Sequence, residues 1–129
     1  MKPEARAFLD KSRECLEKAE GMLARWPDEA GRAAYLAGLH AAQAFIIEKT
    51  GQLAKTHKGV QRELGRLTKD ERGFEPEPRA FLGRAYNLKA VADYETGSGS
   101  KVTHAQAKEA IDAAHQFVAA LHKLMGSPP

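Results

Sequence analysis

Residues 33–47, reading AAYLAGLHAAQAFII, include only three that are not apolar: Gly38, His40 and Gln43. A helix apolar on nearly every side has to be enclosed by protein or by lipid. These fifteen residues lie between Arg32 and the pair Glu48 and Lys49, and they fall short of the ~20 that cross a bilayer. The stretch therefore reads as a buried core helix, around which the other helices are expected to pack. Tyr35, Leu36, Leu39, Phe45, Ile46 and Ile47 supply the bulk to be buried. The alanines and Gly38 let neighbouring backbones approach closely, and His40 is a lone imidazole in the middle.

A chain of 129 residues suits one domain by the usual range of ~100–200, here 1–126 with 127–129 as a tail. Its 43% hydrophobic and 29% charged composition is that of a soluble globular protein. Val and Ile are too few against Ala, Leu, Glu, Lys and Arg for a sheet-rich fold, so the expected class is all-α. Met1 to Arg13 alternates charged and apolar residues, with no export signal, which makes the cytoplasm the default location. Cys15 stands alone on an apolar stripe, where a thiol usually serves as a small hydrophobe. The net charge of +3 is mild, so its distribution matters more than its total.

Pro3 suits a first helical turn, and from there Phe8, Ser12, Cys15, Leu16, Ala19, Met22, Leu23 and Trp26 recur at helical spacing. Pro27 pushes Trp26 out of helical geometry and ends that helix, while Asp28 and Glu29 favour a new N-terminus. The apolar helix follows and closes at Gly51. A short third helix starts near Thr56 with Val60, Leu64 and Leu67 on one face. Asp70 to Pro78 reads as a loop because two prolines and a glycine break the pattern. Pro78 opens a fourth helix with the core stripe Phe81, Ala85, Leu88 and Ala92. After the connector Thr96 to Ser100, Thr103 with Gln106 forms a capping box and Val102 with Ala107 a hydrophobic staple. The fifth helix carries Ala107, Ile111, Ala114, Val118, Leu121 and Met125 in a bundle-like seam that ends at Gly126. The architecture expected is an up-and-down bundle of about five helices.

Five histidines raise the question of a metal. His104, His115 and His122 share one strip, but a helical rise of 1.5 Å per residue separates them by about 16 and 10 Å. There is no HExxH or Glu-x-x-His pair, so no metal site is expected. The third helix presents Lys58, Arg62, Arg66 and Lys69, with Lys55 just before it. These five cations, against the single anion Glu63 between Leu53 and Lys69, suit phosphate or simply a solvated face. No aromatic residue interleaves them, which argues against base stacking along the stripe. On the fourth helix Leu82, Tyr86, Lys89 and Asp93 form a strip beside the core, where Lys89 and Asp93 make at least an i,i+4 pair.

Tyr35, His40, Ala41, Ala42 and Phe45, then Thr56-His57-x-Gly59-Val60, then Ala92-Asp93-Tyr94, resemble the HEPN domain family of bacteria and archaea. The resemblance spans the chain from first helix to last. It implies an all-helical bundle, commonly a homodimer and commonly encoded beside a minimal nucleotidyltransferase, that works as a nucleotide-binding accessory or as an RNA-cleaving toxin. Where similar proteins carry Arg four residues before the Asp, this chain has Lys89. Ribonuclease members carry an Arg followed four to six residues later by a His, a spacing found nowhere here; the nearest pair is Arg32 with His40.

The leading expectation is a nucleotide- or RNA-binding partner of a nucleotidyltransferase in a toxin-antitoxin-like system, without cofactor. The alternatives are a ribonuclease toxin with an atypical site and a purely structural scaffold. Ligand-binding candidates are His57, Lys89, Asp93 and Tyr94, with His40 behind them. Lys55, Lys58, Arg62, Arg66 and Lys69 are candidate phosphate guides. His57 opens its helix, where the dipole should lower its pKa and keep it neutral at pH 7.

Overall fold

The computed structural model of the chain describes residues 1–74, 76–94 and 101–126. It is an all-α bundle of five helices: α1 (Pro3–Met22), α2 (Pro27–Thr50), α3 (His57–Thr68), α4 (Glu77–Tyr94) and α5 (His104–Leu124). No strand occurs among the described residues. The connector Thr96 to Ser100 and the tail 127–129 lie outside them.

The apolar stretch lies within α2, which packs against all four other helices. From Ala41 to Ile47 every residue is buried, including Gln43. Antiparallel packing of α1 on α2 shows in its cross-links. The Lys2 backbone N–H donates to Glu48 at 2.8 Å, and the buried Ser12 hydroxyl donates to the Ala37 carbonyl at 2.6 Å. Ser12 thus sits on an apolar stripe without leaving a polar atom unpaired. Gly38 admits a side chain rather than a backbone. A Cβ there would overlap Cε2 of Phe81 and lie 3.1 Å from Cδ2 and Cζ of the same ring.

The local signals hold where they were strongest. Thr103 and Gln106 form the full capping box, and Gly51 and Gly126 close α2 and α5 at φ of 75° and 76°. Asp28 accepts from the Val102 N–H at 2.9 Å, joining the start of α2 to the approach of α5. Trp26 departs from its expected place on a stripe. Helix α1 stops at Met22, so Trp26 becomes the residue before α2 and is 51% exposed. The loop expected from Asp70 to Pro78 is shorter and partly ordered: Arg72–Phe74 forms a 3-10 turn that buries Phe74, and α4 already begins at Glu77. The core face of α4 is also rotated, since Leu82 is buried while Leu88 and Ala92 are only partly so.

Residues 51–56 run back along α2. The Gln43 side-chain amide donates to the Ala54 carbonyl at 3.0 Å, and two residues beyond Lys55 the imidazole of His57 arrives beside Tyr35. Helix α3 then runs antiparallel to α4. His57 faces Tyr86, a Cβ on Gly83 would lie 3.6 Å from Gln61, and Arg79 donates to the Thr68 carbonyl at 2.7 Å.

Candidate functional site

Three helices converge on one aromatic and charged cluster. Helix α2 supplies Arg32 and Tyr35 from one face, three residues apart. Helix α4 supplies Tyr86, Lys89 and Asp93 at spacings of three and four, which also share a face. Helix α3 supplies His57 from its first turn. The preceding Thr56 caps that turn by accepting from the Gly59 N–H at 3.0 Å, and a Cβ at Gly59 would come to 2.9 Å from the Thr56 hydroxyl. The Thr-His-x-Gly-Val segment thereby acquires a physical reading: the threonine caps, the glycine clears the cap, and Val60 is buried.

Tyr35 and His57 are joined by a hydrogen bond of 2.9 Å at Nδ1. The imidazole stacks on Tyr86, with ring centroids 4.0 Å apart and planes 19° from parallel. Tyr35 meets the same Tyr86 edge-on at 5.6 Å. Lys89 Nζ lies 5.9 Å from the Tyr86 ring centroid and pairs with Asp93 at 2.6 Å. Asp93 also accepts from Arg32 Nε at 2.6 Å, and Arg32 reaches on to Glu29. One carboxylate therefore braces two cations from two helices. Tyr86 remains 41% exposed at the surface of this arrangement.

The electrostatics follow from these contacts. Lys89, then Arg32, holds the Asp93 carboxyl below its ordinary range, and the Asp93 carboxylate holds Lys89 above its own. Burial, with a smaller contribution from Tyr86, pushes the Tyr35 phenol up to about 12. The His57 pKa is lowered, in the expected direction, by burial. An imidazole with a lowered pKa is neutral at pH 7.

The other candidates fall in different places. His40 faces α1, where its ring lies 6.0 Å from Phe8, and Nδ1 donates to the Gln43 side-chain oxygen at 2.9 Å. Because Gln43 uses its amide nitrogen on Ala54, that oxygen is free to accept. His40 thus supports the segment leading to His57 instead of joining the cluster. Burial, with Lys11 nearby, lowers its pKa. Tyr94 ends α4 one residue past Asp93 and is 77% exposed. Lys55, Lys58, Arg62, Arg66 and Lys69 are all exposed. Arg66 is engaged by Glu63 through two hydrogen bonds of 3.0 and 3.1 Å. Lys58 and Arg62 line a cavity of about 420 Å³ with Gln61, Gly65 and Leu82, next to the cluster along α3. Of the three histidines on α5, His115 contacts Glu20 and His122 lies 3.2 Å from Arg13, both across the seam with α1.

Arg32, Tyr35 and Tyr86 are the members that spacing alone did not single out as site residues. Tyr86 stood on the Lys89–Asp93 strip, which was the available signal. Tyr35 stood among the residues that carry the family resemblance but, like Arg32, had no spacing that marked it as a site residue, since their partners lie 22 and 61 positions away. The aromatic group that the α3 stripe lacks in sequence is supplied across space by α4.

Fold and site together define a small helical bundle with an aromatic cluster, edged by two cations that share one carboxylate, where α2, α3 and α4 meet. The HEPN domain model matches residues 4–124, and the chain belongs to that family. The crystal structure of TT1696 from Thermus thermophilus is similar at a TM-score of 0.78, with 22% identity over 95% of this chain and 98% of that one. At that identity the likeness carries the fold alone. No curated protein sequence matches the chain.

Proposed function

We propose that the chain is a nucleotide- or RNA-binding partner of a minimal nucleotidyltransferase, acting as a cytoplasmic homodimer in a toxin-antitoxin-like pair. The observation that carries this reading is the His57–Tyr86–Lys89 cluster at the head of the basic face of α3. A half-exposed aromatic ring is a stacking surface for a base. Lys89 and Arg32 supply cations for phosphate, and Lys58 and Arg62 extend the positive field beyond them. Titration of the labelled full chain with AMP should shift the His57 and Lys89 resonances together. Absence of a shift at either residue removes the ligand site. Sedimentation that returns only a 14.1 kDa monomer at micromolar concentration removes the homodimer.

A second reading, an RNA-cleaving toxin with an atypical site, draws on the shared contact of His57 and Lys89 with one ring. Cleavage needs a base for the 2'-hydroxyl proton and a cation for the phosphate charge. Expression of the chain alone should then arrest growth, and His57→Ala should relieve the arrest. Unimpaired growth rules against it.

A further inference from the structure

We infer that Tyr35 is a positioning residue that locks the His57 imidazole as a hydrogen-bond donor, so that the cluster takes an acceptor atom at Nε2, such as a phosphate oxygen or a base carbonyl. This rests on the nucleotide-binding reading for its ligand, but the lock itself is a property of the free protein.

Tyr35 is 2% exposed, and its hydroxyl has one hydrogen-bond partner among the described residues, His57 Nδ1 at 2.9 Å. With its pKa raised, the phenol keeps its hydrogen at neutral pH. A buried O–H without an acceptor carries the full desolvation penalty of that group, whereas donation to Nδ1 satisfies it. Donation makes Nδ1 an acceptor. A neutral imidazole has one N–H, so the proton resides on Nε2. That nitrogen has no hydrogen-bond partner among the described residues. The stack on Tyr86 fixes the ring plane, and with it the direction of the Nε2–H.

The consequence separates the two functional readings. A general base would need a lone pair at Nε2, which requires the proton to move to Nδ1 and the phenol to give up its acceptor. A ligand contact needs only the donor already present.

The test is a long-range proton–nitrogen correlation on the labelled full chain without ligand, recorded above the titration range of His57. The expected pattern has a protonated, pyrrole-like Nε2 and an unprotonated Nδ1. In Tyr35→Phe the two nitrogen shifts should move towards each other as the tautomers exchange. A wild-type ring protonated at Nδ1 overturns the proposal, as does an unchanged pattern in a folded Tyr35→Phe. The wild-type spectrum decides the tautomer even if that variant fails to fold. With AMP as probe, Tyr35→Phe should bind about five-fold more weakly. His57→Gln, which retains a side-chain N–H, should bind more tightly than His57→Ala; equal affinities for the two overturn the donor role. If AMP binds none of the proteins while the tautomer is as expected, the nucleotide reading falls and the lock stands.

Discussion

Replacing Phe117 with Ala is expected to lower the stability of the chain by about 3–5 kcal/mol. Its ring is fully buried, stacks on Phe81 at 4.8 Å and tilts against Phe74 at 5.7 Å. Truncation would open a void shared by α4, α5 and the 3-10 turn, and rings so enclosed have little room to collapse into it. Against a typical total of ~5–15 kcal/mol, such a loss leaves the variant marginal. Urea denaturation followed by far-ultraviolet circular dichroism is the suitable measurement, because the one tryptophan, Trp26, is 51% exposed and reports poorly on the core. A loss under about 1 kcal/mol would show that the Phe74–Phe81–Phe117 group is not the strong packing centre described.

Gly38→Ala should also destabilise, against the normal trend. Within a helix that change usually gains ~1 kcal/mol. Here the new methyl group meets Phe81, whose ring is 3% exposed and held from behind by Phe117. Overpacking of this kind costs about 1–3 kcal/mol, so a net loss on the order of 1 kcal/mol is expected. The same substitution in a Phe81→Leu background should cost less or become favourable, because the smaller side chain vacates the collision. Equal effects in both backgrounds would mean that the two positions do not meet.

How much was legible in the sequence depended on the range of the interaction. The capping box at Thr103 and Gln106, the cap at Thr56 and the closures at Gly51 and Gly126 involve residues within a few positions, and each was readable. The all-round apolarity of residues 33–47 correctly placed α2 at the centre. Phe117 was not on the expected seam, because that seam assumed one packing partner, whereas α5 packs against α2, α4 and α1 and buries a wider arc. Phe74 was read as loop because the flanking Gly73 and Pro76 hide a single inward ring. In the site, the i,i+4 pair of Lys89 and Asp93 was visible, but Arg32 completes it from another helix. The hydrogen bond that orients His57 and the ring that stacks on it are likewise tertiary, and periodicity within one helix carries no record of them.

Because the Ala54 carbonyl is moored to Gln43, chain added upstream, among the exposed Gly51, Gln52 and Leu53, lies on the far side of that anchor from α3. Extra length there can bulge into solvent without disturbing the start of α3. A single residue added between Ala54 and Thr56 would put about 3.3–3.6 Å of extra extended chain into the short link from that anchor to His57, and so would shift the imidazole off its phenol and its aromatic bed. The geometry of the cluster therefore depends on the length of the two-residue link Lys55–Thr56 as well as on the side chains that meet in it.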